Sequence, residues 1–378
     1  MCGIAGFTNT GLDNKKIVND MLVCLAHRGL DQEGIFTDKF VTLGHKRLST
    51  IDLADGKQPM EKDGYVIVLD GEIYNYLSLK KELELKGHKF QTKSDTEVLL
   101  SMYIEYKETM LDKLNGTFAF IIYDTHTKTI FAGRDPFGVK PFFYYYNQFF
   151  AFASEIDTLF SHPNINKTIT KRGLIQLFSI SPMRPLGETP YGGIFELKPG
   201  NYMTIHDDNI KIKEYFSLKD KEHTETAEEA IEHLRELVVS AIKRQLVSDV
   251  PVATLLSGGL DSSAISSIVA KEYEKRGEKL STFSFDYIDN SKYFKKNLFQ
   301  PTSDEYYADL MAKHLGTNHK VIKISAEEVS SSIKEAMHAR GFPAMGDIDS
   351  SLLCYCKEIS KTHKVVMSGE CADELTHT

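Results

Sequence analysis

Apolar residues along this chain follow two rhythms, which change near residue 210. Up to about 205, short runs of Val, Ile, Phe and Tyr between turn residues predict strands at 65–71 (YVIVLDG), 117–124 (TFAFIIYD), 128–135 (KTIFAGRD), 148–154 (QFFAFAS) and 200–207 (GNYMTIHD). Residues 76–86 and 95–107 instead read as helices; in the second, Leu99, Met102 and Tyr106 fall at helical spacing. The mixture predicts an α+β domain with strands in sandwiched sheets and helices outside. A charged segment at 217–230 reads as a linker entering a helix, on which Ile231, Leu234, Leu237, Val238, Ala241 and Ile242 form an apolar stripe. The domain boundary is expected near 208–225. From 250 the rhythm becomes strict alternation. Strands are predicted at 250–256, 280–287, 319–325 and 363–369, and helices at 262–275, 304–315, 326–340 and 349–361. This implies an α/β doubly wound parallel sheet, whose ligands bind at the carboxyl ends of the strands.

The 378 residues suffice for two domains with large cores. A formal net charge of −8 without a basic run argues against nucleic acid or an anionic membrane as partner. No apolar run reaches the roughly 18 residues of a spanning helix, and no signal-peptide pattern opens the chain. The five cysteines, Cys2, Cys24, Cys354, Cys356 and Cys371, suit a reduced, cytoplasmic setting better than a disulfide framework. Cys354 and Cys356 lack zinc-ligand spacing and read as structural thiols.

Chemistry concentrates in two glycine turns. LLSGGLDSS (255–263) joins a predicted strand to a helix. Gly258 and Gly259 let backbone approach an anion, Ser257, Ser262 and Ser263 add hydroxyls, and the helix start adds unpaired N–H groups. Asp261 would repel phosphates unless it holds Mg²⁺ between itself and them. The absence of G-K-[ST] excludes the ordinary P-loop. SGECADEL (368–375) ends the last predicted strand and brings Ser368, Gly369, Glu370, Cys371, Asp373 and Glu374 to a second loop. Two such loops on neighbouring strand ends would face each other across a nucleotide site.

S-G-G-L-D-S followed by S-G-E-x-A-D-E resembles the ATP-pyrophosphatase domain of glutamine-dependent asparagine synthetases. MCGIAGF, HRGLDQEG (27–34), GHKRLSTIDL (44–53), GEIYNY (71–76), SDTEVLL (94–100), GRDPFGVKPFFY (133–144) and ASEI (153–156) resemble their class II glutamine amidotransferase domain. The resemblance implies an Ntn-type αββα sandwich over 1–210 and an ATP-pyrophosphatase domain over 225–378. It makes Cys2, once Met1 is removed, a nucleophile whose own α-amine is its base. Gly71 would supply an oxyanion-hole N–H, Arg47 would pair with the glutamine α-carboxylate, Asp95 would hold its ammonium, and Glu72 would help fix it. Arg28 would brace the nucleophile loop or form a structural salt bridge. Leu255 and Phe285 would contact adenine and ribose. Ser257, Gly258, Gly259, Asp261 and Ser262 would hold pyrophosphate. Asp261 and Asp373 would ligate Mg²⁺, Ser368 and Gly369 would touch the nucleotide, and Glu370 would act near the adenylated substrate. The implied reaction adenylates the aspartate β-carboxylate with ATP, and ammonia channelled from glutamine displaces AMP. The resemblance also implies a homodimer.

Three departures qualify these expectations. Asp70 stands where the family has an asparagine donor, so weak glutaminase activity is expected unless Asp70 is protonated. Cys371 replaces a glycine, which strains the loop if the position needs positive φ. The family continues beyond this loop with mostly helical structure, so this chain alone is not expected to complete asparagine synthesis. Two alternatives stay open: amidation of another carboxylate, and a catalytically weak glutamine- or nucleotide-binding variant.

Overall fold

A computed structural model describes residues 1–179, 183–207, 209–222, 224–295, 304–343 and 345–372. It divides into two units, Met1–Lys221 with Arg340–Ala344, and Glu222–Ala339 with Met345–Thr378.

The first unit carries β1 (Gly3–Thr8), β2 (Gln32–Thr37), β3 (Val41–Arg47), β4 (Met60–Lys62), β5 (Tyr65–Ile73), β6 (Gly116–Asp124), β7 (Ile130–Arg134), β8 (Phe143–Tyr146), β9 (Phe150–Ala153), β10 (Ile194–Glu196), β11 (Asn201–His206) and β12 (Asn209–Glu214). Its helices are α1 (Asn14–Cys24), α2 (Tyr76–Leu85), α3 (Asp95–Tyr106), α4 (Ile156–Leu159) and α5 (Lys171–Ser179). Two six-stranded sheets form, in the orders β10-β8-β9-β1-β3-β2 and β12-β11-β7-β6-β5-β4. Every strand pair in them is antiparallel. Alternate residues of both sheets, among them Ile4, Leu43, Val68, Ile121, Phe152 and Met203, interleave in one buried layer. The opposite face of β1, with Ala5 and Phe7, packs on Val18 and Met21 of α1 and Leu159 of α4. Val98, Leu99 and Met102 bury α3, and Tyr103 stacks on Phe131 of β7 with ring centroids 4.8 Å apart. The result is the expected αββα sandwich.

This layering places the reacting groups. β1 lies between β9 and β3, so the residue preceding it, Cys2, sits at the end of the sheet's middle strand. β5 belongs to the facing sheet and carries Asp70, Gly71 and Glu72 on its last turns of pleat. Gly71 has φ +151°, and a Cβ there would lie 2.2 Å from the Thr117 carbonyl oxygen, so only glycine lets β5 pair with β6 at this point.

The second unit holds α6 (Ala227–Arg244), β13 (Val252–Leu255), α7 (Leu260–Glu274), β14 (Ser281–Tyr287), α8 (Asn290–Tyr293), α9 (Asp304–Leu315), β15 (Asn318–Ile324), α10 (Ala326–Arg340), α11 (Gly346–Ser360) and β16 (Val365–Met367). The sheet order is β15-β14-β13-β16, all parallel. One face is covered by α6 and α7 through Ile242, Val269 and Tyr273, the other by α11 through Tyr355 and Ile359. Two expectations shift. α11 starts at Gly346 rather than 349, because Asp347 and Asp349 suit the positive end of the helix dipole. On α6, whose start is closed by a Thr226–Glu229 capping box, only Ile242 is buried, and Ile231, Leu234 and Leu237 of the stripe are more than half exposed. Among the described residues no helix is long and apolar enough to cross a membrane.

Candidate active sites

At the end of β1, Cys2 Sγ lies 3.7 Å from the Leu48 carbonyl oxygen. Arg28, from the 3₁₀ turn Ala26–Arg28, ties the surrounding backbone together. Its Nε donates to the Cys2 carbonyl at 2.7 Å, Nη1 to Glu155 Oε1 at 3.1 Å, and Nη2 to Asp70 Oδ2 at 2.7 Å. Ser154 Oγ accepts from Ile4 N–H at 3.0 Å and donates to the same Asp70 Oδ2 at 3.0 Å. The two alternatives for Arg28 are therefore one arrangement: it braces the Cys2 loop and is ion-paired. Burial alone would lower the Arg28 pKa, but Asp70 and Glu155 outweigh it and hold the guanidinium above its usual value.

Asp70 is fully buried, and its second oxygen, Oδ1, has no hydrogen-bond partner among the described residues. The Cys2 thiol is pushed up to about 11, first by burial and then by the Asp70 carboxylate; the bond to Leu48, the terminal ammonium and Lys140 oppose the rise. Burial lowers the Met1 ammonium. His45, on β3, is also buried. Its Nε2 donates to the Leu69 carbonyl at 3.0 Å, and burial brings its pKa to about 4, so it stays neutral beside Asp70.

The second half of this site is a pair of opposite charges. Arg47, 4% exposed at the end of β3, donates from Nη1 to Gln32 Oε1 at 2.9 Å, and from Nη2 to the Ile51 and Asp52 carbonyls at 3.0 and 2.6 Å. These partners fix the guanidinium. Asp95 opens α3, where Oδ2 accepts from Ile73 N–H at 2.9 Å. Its pKa is raised to about 6, mainly by burial and further by Glu72, with Ile73 N–H and Arg47 opposing. Glu72 accepts from Thr50 Oγ1 at 2.7 Å. A fixed cation facing two close carboxylates suits the zwitterionic head of an α-amino acid.

In the second unit, a cavity of about 690 Å³ opens at the carboxyl ends of β13, β14 and β16. Leu255, Ser257, Gly259, Asp261, Ser262, Phe285, Ser368, Gly369 and Glu370 line it. α7 starts from Gly259 without a side-chain cap, and a helix start of this kind offers its first N–H groups to an anion. Ser262 Oγ donates to the Gly259 carbonyl at 3.2 Å and lies 3.0 Å from Ser257 Oγ, which holds the loop closed on itself. A Cβ on Gly369 would lie 3.1 Å from Asp261 Cβ, so the two loops meet there.

Gly258 has a packing reason to be glycine: with φ +86°, its missing Cβ would fall 2.5 Å from the Ala308 amide nitrogen, so it admits the backbone of α9. Gly258→Ala is expected to destabilise the second unit by about 3 kcal/mol, read as a fall in its thermal midpoint. Cys371 lines the cavity at φ +65°, the glycine-favouring geometry its position raised as a concern. Cys371→Gly is expected to stabilise by about 1 kcal/mol and raise the midpoint; no change would show that the loop bears the side chain without strain. Asp373 and Glu374 lie outside the described residues.

Several contributors carry no sequence signal of their own. Ser154 and Glu155 stand inside ASEI, and His45 inside GHKRLSTIDL, but only a known fold shows that they gather around Asp70 and its partner Arg28. Lys140 is positioned by the Asp135 turn, whose carboxylate accepts from the Phe137, Val139 and Lys140 amides. In the second-unit cavity, Asp286, Asp304 and Tyr355 join the lining from elements separated along the chain.

An antiparallel αββα sandwich with a cysteine at the head of its middle strand defines a domain of the N-terminal-nucleophile type. The chain belongs to the glutamine amidotransferase family, whose domain model matches residues 1–216. Residues 233–377 match the asparagine synthase domain. Glutamine-hydrolyzing asparagine synthetase 3 of Bacillus subtilis (strain 168) is 42% identical over 99% of this chain and 62% of its own. Glutamine-hydrolyzing asparagine synthetase 1 of the same organism is 36% identical over 99% of this chain and 58% of its own. The chain thus spans about three fifths of the length of these relatives. The solved glutamine phosphoribosylpyrophosphate amidotransferase of B. subtilis, complexed with ADP and GMP, is 16% identical with a TM-score of 0.45, covering 86% of this chain and 91% of that one.

Proposed function

We propose that this chain carries the glutaminase and the nucleotide-binding part of an ATP-dependent, asparagine-forming amidotransferase. The observation that carries the reading is the conjunction, in one chain, of Cys2, held against the Leu48 carbonyl next to Arg47, and the Arg47–Asp95 charge pair with a cavity framed by the Ser257–Ser262 and Ser368–Cys371 loops. Arg47 and Asp95 bind the α-carboxylate and α-ammonium of glutamine, and Glu72 flanks them. With Met1 removed, the Cys2 α-amine takes the thiol proton as Sγ attacks the side-chain amide carbonyl. This supplies a base to a thiol that burial otherwise keeps protonated. A thioester forms, ammonia leaves, and water then releases glutamate. The Gly71 N–H donates to the oxyanion, while Arg28 holds the Cys2 carbonyl.

In the second unit, Leu255 and Phe285 hold the nucleoside, and the α7 N-terminus with Ser257, Gly259 and Ser262 holds the phosphates. ATP then activates a carboxylate as its adenylate, with aspartate the preferred candidate, and Glu370 lies beside the reacting group. Mg²⁺ fits this chemistry, because it binds through one or two carboxylates plus phosphate oxygens, and Asp261 supplies a carboxylate on the cavity wall. When bound it neutralises phosphate charge. A second reading, a slow or purely binding variant, is favoured by one observation, the buried carboxylate of Asp70 at the oxyanion position.

The test is product analysis on the purified chain with Met1 removed. Glutamate release from glutamine is expected, together with ATP-dependent formation of AMP and pyrophosphate on aspartate. No glutamate above the uncatalysed rate removes the first half of the proposal. AMP formed only on a different carboxylate replaces aspartate by that acid.

A further inference from the structure

Behind the cavity of the second unit runs a file of hydroxyl and imidazole groups that none of these steps uses. On the paired strands β14 and β15, Thr282 stands opposite His319. Thr317 Oγ1 is 2.9 Å from Thr282 Oγ1, Thr282 Oγ1 is 2.9 Å from His319 Nδ1, and His319 Nε2 is 3.2 Å from Ser284 Oγ. Thr282 is fully buried, Ser284 is 9% exposed, and Ser284 lines the cavity.

Each hydroxyl in this file has one proton, and so does a neutral imidazole, so fixing one end fixes every link. Burial lowers the His319 pKa and keeps the ring neutral. At the far end, Thr317 Oγ1 donates to the Ala312 carbonyl at 3.5 Å, an oxygen that can only accept. With that proton spent, Thr282 donates to Thr317. Thr282 must then accept from His319 Nδ1–H, which leaves a lone pair on Nε2 to accept the Ser284 proton. The Ser284 oxygen at the cavity is left with lone pairs alone.

We propose that His319 is a positioning residue that fixes Ser284 as a hydrogen-bond acceptor, and that Ser284 thereby selects ligands with an N–H or O–H donor at that point of the cavity. The inference rests on the nucleotide reading of the cavity. On a nucleoside triphosphate, donors of this kind are the exocyclic amine of adenine and the ribose hydroxyls. Inosine triphosphate presents an acceptor in place of the amine, and the 2′-deoxy and 3′-deoxy forms of ATP lack one hydroxyl each.

Dissociation constants for ATP and these three analogues, measured by calorimetry on the full chain, decide it. For wild type, one analogue is expected to bind about 3- to 10-fold more weakly than ATP, the loss of one neutral hydrogen bond, and its identity tells base from ribose. Ser284→Ala should bring that ratio to near unity while leaving the other two ratios unchanged. Ser284→Thr should keep it, and His319→Asn, which frees the hydroxyl to rotate, should lower it. A merely structural role would weaken all four ligands alike. ATP binding with ratios that Ser284→Ala does not move, or a preference for inosine triphosphate over ATP, overturns the inference alone. No ATP binding by wild type overturns the nucleotide reading and this inference with it.

Discussion

Asp70→Asn is expected to raise kcat for glutamine hydrolysis by about 10²-fold. The reason lies in how the two carboxylate oxygens are used. Oδ2 is already spent on Arg28 Nη2 and Ser154 Oγ, and an asparagine Oδ1 can keep both bonds. The other oxygen is buried and unpartnered, and asparagine would place an amide donor there. One preorganised donor to an oxyanion is worth about 10²–10³ in kcat, so the substitution should recover much of that range. It also removes the neighbouring negative charge that, after burial, helps push the Cys2 thiol to about 11. Two measurements check this: steady-state glutamate release, and the pH dependence of Cys2 alkylation, whose midpoint should move down. An unchanged kcat with an unchanged alkylation profile would show that Asp70 is not in the path of either charge. Arg28 keeps Glu155 at 3.1 Å in the variant, so the fold should survive.

Asp95→Asn should act in opposite directions on stability and binding. The carboxyl is 6% exposed and its pKa is raised to about 6 from an ordinary value of 3.8. A folded-state pKa above the unfolded one means that the folded protein favours the protonated form. Stability from this group is therefore fully present below about pH 4 and is lost as pH rises through 6. At pH 7 the ionised carboxylate costs roughly 2–3 kcal/mol. Asparagine keeps the acceptor for Ile73 N–H without the charge, so the variant should melt higher than wild type at pH 7 and nearly level with it at pH 4. Glutamine loses its ammonium partner in a buried place, and its KM should rise by about 10²–10³. A variant that melts lower at pH 7, or binds glutamine normally, would remove Asp95 from the ligand's charge pair. For wild type, kcat/KM for glutamine should fall as pH drops below 6, where the bare carboxyl takes up its proton.

The second unit was largely readable from periodicity, because long helices repeat their pattern often enough to be recognised. The expected helices at 304–315 and 326–340 coincide with α9 and α10. The first unit was read less completely. GIAGFT and VTLGHKR carry glycines and polar residues that break strand alternation, yet they form β1 and β3 of the sheet that carries Cys2 at the head of β1. Their glycines are there because neighbours leave no room: a Cβ on Gly6 would lie 2.5 Å from the Thr42 carbonyl oxygen. α1 escaped notice too, although Ile17, Val18, Met21 and Leu22 are its buried face. Asp70 stood out in the sequence as an acid in an asparagine's place, but its consequence depends on Arg28 and Ser154, which are distant along the chain and adjacent only once the two sheets face each other. At Gly258 tight packing on α9 asks for glycine just as a phosphate loop does, so the motif alone does not separate the two demands.

The neighbours of β13 also bear on the order in which the protein assembles during synthesis. Val252 pairs with Val365, so the loop after β13 emerges from the ribosome long before the strand that carries its opposite wall. β14 can pair with β13 early, through Thr254 and Thr282, and α7 can settle on the half-built sheet. The edge of β13 that awaits β16 stays open over that interval, with its backbone groups exposed to any extended chain nearby. A pause in translation after residue 325 would lengthen this exposure, whereas chaperone binding to the nascent sheet would shield it. The cavity framed by both loops thus forms only after residue 370 has left the exit tunnel, and a ligand added during translation can stabilise it only from then on.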